Sequence, residues 1–196
     1  MSATVKQPRG RPRGFDPEEA LAIGQRMFHA QGYDAVGLAA LTDALNIKPP
    51  SFYTAFGSKA GYFERVLDRY AAAVLVLDDI LLPGRAVDEA LGDLLDRVAT
   101  SYARNPECLG CLVLEAARGG ADAESAVLAR RVAEQRRSLI RAFVATSRPE
   151  LADKVTDYVS SVMSGMSASA REGVSEARLV DIAAMASLSL KSLLAN

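Results

Sequence analysis

The chain has 196 residues, 49% of them apolar, with 23 basic and 24 acidic side chains and a formal net charge of −1. That length holds one small domain and a larger one, and no run nears the roughly 20 uninterrupted apolar residues of a membrane span or supplies a secretory leader, so the expected compartment is the cytoplasm, with no membrane contact. Two cysteines in close sequence exclude a secreted disulfide framework, and the scarcity of alternating β-branched runs points to an all-α chain.

The charge is unevenly placed. Lys6, Arg9, Arg11 and Arg13 put four positive charges and no acid into the first 14 residues, leaving 19 basic and 24 acidic residues to the rest. Residues 1–14, broken by proline and glycine and without an apolar period, read as a flexible basic arm. Pro8-Arg9-Gly10-Arg11-Pro12 resembles the core of an AT-hook, whose extended backbone lets two guanidinium groups lie in a narrow minor groove where negative potential is strongest. The plainer reading of the same charges is a solubilising tail. Asp16-Pro17-Glu18-Glu19 starts the first helix, with Asp16 as cap, Pro17 in the first turn and Glu19 placed to reach back. Ala20, Ile23, Met27 and Ala30, with Leu21 and Phe28 beside them, form its apolar stripe, and Gly32 ends it. His29 is the only histidine; a single imidazole with no acid or nucleophile close by reads as surface or core filler rather than a ligand.

The stretch Gly37 to Lys59, GLAALTDALNIKPPSFYTAFGSK, reads as two short helices separated by a break. Leu38, Leu41 and Leu45 share one helical face, whereas Asn46, Ile47 and Lys48 carry no continuing period. Pro49 and Pro50 fix φ and lack amide donors, which suits the first turn of a new helix and nothing further inside one. Phe52 and Phe56 then point one way, leaving Ser51, Tyr53 and Thr54 outward. Gly57 ends this helix in a left-handed conformation, and Ser58 caps the next. The arrangement is a helix-turn-helix. Ser51 and Thr54 can offer hydroxyls to base edges, and Pro50 and the Thr54 methyl can meet thymine methyl groups. Lys48 stands at the mouth of the second helix, and Thr42, taken as outward on the first, is a further phosphate contact.

SFYTAFGSK following ALTDALNIKPP is similar to the DNA-binding segment of TetR/AcrR-type transcriptional repressors. The resemblance takes in the RGRPRGFD lead-in, Gly110-Cys111-Leu112 and SGMSASAREGVSEARL, and is strong before Phe63 and weaker after it. It implies that Tyr53 and Lys59 contact operator phosphates. Many members carry threonine or serine just before the first helix of the motif; Gly37 stands there in this chain, so a phosphate-contacting hydroxyl is missing.

Beyond Ser58, the positions of Phe63, Leu67, Tyr70, Val74, Leu77 and Leu81 keep one helical period, which predicts a single long helix running from the head into the body and ending at Pro83-Gly84. A helix with Val87, Leu91, Leu94, Leu95, Val98 and Tyr102 inward follows, stopping at Asn105-Pro106. Next come a short segment closed by Gly119-Gly120 and a helix from Asp122 to Pro149, whose arginines, interleaved with acids, read as a solvated face. The last two helices carry Val155, Val159, Val162, Met163 and Met166, then Leu179, Ile182, Ala183, Ala186, Leu190 and Leu193. Their small-residue and apolar faces suit burial by a second copy, with Ala186 at the contact. The expectation is nine or ten helices: a basic arm over 1–14, a three-helix helix-turn-helix domain over 15–62, and a helical bundle for effector binding and dimerisation over 63–196, joined to the head by the long helix.

Cys108-Leu109-Gly110-Cys111 has three readings: packing, a redox pair whose thiols sit at a helix start, or a soft-metal site lacking two ligands. An effector pocket is expected inside the bundle, lined by Tyr70, Val74, Leu95, Tyr102, Cys111, Leu112, Met163 and Met166. The residues point to a sequence-specific DNA-binding regulator that is not an enzyme and needs no cofactor or metal. Together with the resemblance, they imply a homodimeric repressor of a palindromic double-stranded operator, released by a small-molecule effector. The alternatives are an architectural, A·T-preferring DNA-binding protein without effector, and a redox-sensing regulator acting through Cys108 and Cys111.

Overall fold

A computed structural model describes residues 16–74 and 76–195. Among them stand nine α-helices and two 3-10 turns, and no strand. The basic arm, with Arg9, Arg11 and Arg13, lies outside the described residues.

Helix α1 (Pro17–Gln31) starts where Asp16 accepts a hydrogen bond from the Glu18 amide at 2.9 Å, and ends at Gly32, whose φ of 82° no β-carbon would favour. Helices α2 (Leu38–Ala44) and α3 (Pro49–Phe56) form the motif. Between them Asn46 takes a left-handed φ of 52°, which asparagine tolerates better than most residues, and the Ile47 amide donates to the Thr42 carbonyl at 3.0 Å.

The three helices close on the start of α4 (Lys59–Val74) through an aromatic cluster. Phe28 meets Phe63 edge-on at 4.9 Å, and Tyr62 lies 4.5 Å from Phe56 and 5.3 Å from Phe52, centroid to centroid. Each such ring, removed from water, contributes about 1.5–3 kcal/mol. The Tyr62 hydroxyl, fully buried, donates to the Ala20 carbonyl at 2.6 Å. Gly24 allows that approach, because a β-carbon there would fall 2.3 Å from the same hydroxyl.

The expected unbroken helix to Leu81 stops at Val74. Val76 leaves the helical region at φ −74°, ψ 79°, and a 3-10 turn (Leu77–Asp79) follows. The turn buries Leu77 and Ile80 together, to 2% and 0% exposure. The link between head and body is therefore a helix of 16 residues, about 24 Å long.

The body comprises α5 (Val87–Ala103), α6 (Leu112–Ala117), α7 (Glu124–Ala145), α8 (Ala152–Arg171) and α9 (Glu176–Leu194), with a second 3-10 turn (Pro149–Leu151) before α8. Helix α5 lies along α9, α7 packs on α6 and α8, and α4 rests on α1, α6 and α7. The arginines of α7 tie elements together rather than only facing water. Arg130 donates to the carbonyls of Ala117, Gly119, Gly120 and Ala121, closing the turn after α6. Arg131 pairs with Glu64 of α4, and Arg141 with Asp153 of α8.

Candidate nucleic-acid interface and body cavity

The face of α3 divides as the spacing requires. Phe52 and Phe56 are buried, while Pro50, Ser51, Tyr53 and Thr54 are exposed, with 51% of Tyr53 open to solvent. The Thr54 hydroxyl donates to the Pro50 carbonyl at 2.9 Å. Its proton is thus engaged with backbone, which leaves the exposed side chain a methyl group and an acceptor lone pair to offer. Lys48, exposed, is the N-cap of α3.

Lys59, the first residue of α4, is half-buried, and its ammonium stands 4.1 Å above the centroid of the Tyr33 ring. Tyr33 in turn donates to Glu124 at the start of α7, at 3.1 Å. Sequence reasoning passed over Tyr33, although an aromatic residue just past a helix-ending glycine was its visible trace. Ser58 accepts from the Gly61 amide at 3.0 Å, capping α4 as expected, and Gly57 has a φ of 75°. Arg65 donates to the Ala55 carbonyl at 3.1 Å and lies over the Phe56 ring, holding the C-terminus of α3 to α4.

Thr42 does not face outward. It is 3% exposed and its hydroxyl donates to the Ala39 carbonyl at 3.0 Å. It follows Leu38 by four positions and precedes Leu45 by three, which places it on the buried face of α2. Gly37 caps α2 without a side-chain hydrogen bond.

In the body, a cavity of about 500 Å³ lies between α4, α5, α6, α7 and α8. Tyr70, Val74, Tyr102, Cys111 and Met163 line it, joined by Ala71, Val113, Leu114, Ala133, Arg136, Arg137, Ile140 and the serines 160, 161 and 164. Leu95 and Met166, expected in the lining, are packed into the solid core at 0% and 1% exposure. Leu112 instead lines a smaller, more polar cleft of about 260 Å³ between head and body, with Phe28, His29 and Arg171. Leu112, the first residue of α6, faces that cleft, whereas Cys111, Val113 and Leu114 take the cavity side.

Tyr102 is wholly buried, and its hydroxyl has no hydrogen bond of ordinary geometry, although the Cys111 thiol lies beside it. Burial pushes the Tyr70 and Tyr102 hydroxyls well above the usual phenol range, and the neighbouring Cys111 adds to both shifts. Cys108 and Cys111 are free thiols, half-buried and buried respectively. Burial raises both thiols, against the depression expected of a helix start. The backbone at this corner is tight: Gly110 has a φ of 75°, and the Cys111 amide donates to the Ser167 hydroxyl at 2.9 Å, which itself donates to Glu115 at 2.6 Å.

His29 is core, at 6% exposure, with its ring edge-on to Tyr70 at 5.5 Å. Burial lowers its pKa first, Arg171 next, and backbone hydrogen bonding to Leu109 and Gly110 opposes them. Among the described residues no group of three or more histidine, cysteine, aspartate or glutamate side chains is placed to hold a metal, and no helix is long and apolar enough to cross a membrane.

The family model for bacterial regulatory proteins of the tetR family matches residues 21–66. The chain is 44% identical over 194 residues to the HTH-type transcriptional repressor BdcR of Escherichia coli K12, covering 97% of this chain and 98% of that one. It is 29% identical over 192 residues to the HTH-type transcriptional repressor ComR of the same organism, covering 91% and 90%. Among solved structures, a cysteine-substituted form of the TetR family regulator CifR, complexed with 26-base-pair operator DNA, superimposes with a TM-score of 0.78 at 30% identity, covering 90% of this chain and 98% of that one.

Proposed function

The chain belongs to the TetR family of DNA-binding transcriptional regulators, and from that premise we propose that it represses as a homodimer on a palindromic operator and lets go when a small molecule fills the body cavity. The observation that carries the reading is the reach of α4. Lys59 opens that helix on the DNA side, and Tyr70, Ala71 and Val74 near its other end form part of the cavity wall. A ligand that displaces the wall displaces the head, because the aromatic cluster around Tyr62 and Phe63 gives α4 and the head one core.

Tyr53 and Lys59 hold phosphates in this reading, and Ser51, Thr54 and Pro50 meet the major groove. A lysine at a helix N-terminus opposes the helix dipole; the Tyr33 ring offsets part of that cost, and a phosphate would offset more. The second copy docks on the outer face of α9, where Val180, Met185 and Leu188 are 36%, 60% and 68% exposed. Ala186, taken from sequence as a contact, faces inward at 5% exposure, in line with Leu179, Ala183 and Leu190.

The test is to fill the cavity without a ligand. Ala133, half-buried on α7 at the cavity wall, becomes phenylalanine. Ala133→Phe, still folded by circular dichroism, is expected to weaken operator binding about tenfold or more in fluorescence anisotropy. A folded variant with unchanged affinity would disconnect the cavity from the head.

A further inference from the structure

The charges around the body cavity are confined to one wall and already matched. Arg137 donates to Asp157 at 2.6 Å and faces Glu134 at 3.5 Å. Arg136 is engaged as well, and its charge reaches Asp68. A ligand carboxylate would have to displace these groups and lose its water in a mainly apolar chamber, both of which are unfavourable.

The remaining lining is uncharged. Ala71, Val74, Val113, Leu114, Ile140 and Met163 supply hydrocarbon, and burial keeps Cys111 a neutral thiol. Two hydroxyls there make no hydrogen bond of ordinary geometry: that of Tyr102, in a residue of 0% exposure and with only the weakly accepting Cys111 thiol beside it, and that of Ser160, half-buried on α8. A buried donor without an acceptor forfeits its hydration and gains nothing back, so an acceptor brought to it is bound with more than ordinary advantage.

We propose that the cavity takes an uncharged, mainly apolar small molecule carrying one acceptor oxygen, such as an aryl-alkyl ketone or ester, whose oxygen receives the Tyr102 hydroxyl. The proposal rests on reading this cavity as the effector site. Its volume of about 500 Å³ lies within the range of small-molecule pockets. The ring and chain of the ligand lie along Val74, Ile140 and Met163, and Ser160 is the second donor within the lining.

Three probes of nearly equal shape separate the possibilities: 4-phenylbutan-2-one, 3-phenylpropanoate and isopentylbenzene. Binding to the full chain is measured by titration calorimetry, and release of an operator selected from a random-sequence pool by anisotropy. The ketone is expected to bind more tightly than the acid or the hydrocarbon. Tyr102→Phe should weaken the ketone about fivefold, the worth of one hydrogen bond, and leave the hydrocarbon as it was. Ser160→Ala repeats the comparison at a less buried site, so that loss of fold in the tyrosine variant, visible by circular dichroism, does not decide the matter. Tightest binding by the acid, binding by none of the three, or a ketone indifferent to both substitutions would overturn the proposal. A ketone that binds and responds to Tyr102→Phe but leaves the operator in place upholds the ligand class and defeats the effector reading. An acid that releases the operator does the reverse.

Discussion

At the scale of single residues, the side chains proposed to face DNA divide into those that would position and those that would read. Tyr53 presents a half-exposed phenol and Lys59 an ammonium held above Tyr33, neither of which carries base information when set against phosphate. Tyr53→Phe and Lys59→Ala should therefore weaken binding to all operator variants by similar factors, about three- to tenfold each. Thr54 differs, because it is exposed and its hydroxyl proton is committed to the Pro50 carbonyl. Thr54→Ala should change which base is preferred at one position in each half-site, read as relative affinities over a panel of single-base variants. If every preference survives that change, the reading face of α3 lies elsewhere. The inward Phe52 and Phe56 were legible from a four-residue spacing alone. Thr42 sits at the same kind of spacing from Leu38 and Leu45, but its hydroxyl made it read as outward; the hydrogen bond to the Ala39 carbonyl is what lets it be buried.

Between elements, what the sequence conveyed best was period and what it conveyed least was partner. Helix α3 was bounded by its prolines and its glycine, and the N-terminus of α4 by Ser58. The far end of α4 was misread because Leu77 and Leu81 continue its stripe, and only packing decides that Ile80 must also be buried. The same ambiguity affects α9, which is apolar over more than one face: one side packs on α5 and the other stands open. From that division follows a contrast between two substitutions. Leu188→Glu, on the open side, should leave the protomer folded and shift it to monomer in light scattering, with operator affinity lost alongside. Ala186→Arg, against the core, should lower the melting temperature whatever the oligomeric state, since a guanidinium would be forced into close packing. A Leu188→Glu protein that remains a dimer would place the interface on another face.

For the whole molecule, the distribution of charge in the sequence predicts that the arm supplies a large share of affinity. From Phe15 to Lys59 the head has three basic residues, Arg26, Lys48 and Lys59, against Asp16, Glu18, Glu19, Asp34 and Asp43. Alone it is repelled by DNA at long range. Each phosphate neutralised adds about 0.9 to the slope of log K against log salt, so an arm placing two or three of its charges per protomer near the backbone would dominate that slope. Deleting residues 1–14 should leave the melting temperature and the dimer intact, weaken operator binding by at least about tenfold, and flatten the salt dependence. It should also erase any preference for A·T pairs flanking the half-sites. A truncated protein with the full salt slope would make the arm a tail and no more.

Whether this chain reads a defined operator through paired helix-turn-helix heads is decided by selecting DNA from a random-sequence pool with the full-length protein. Two heads related by a two-fold axis require an inverted repeat, with half-sites at a fixed separation near one helical turn or a multiple of it. One such palindrome should be enriched, and retained at salt high enough to suppress non-specific binding. Enrichment of A·T-rich sequence without a repeat or a fixed spacing would contradict that reading.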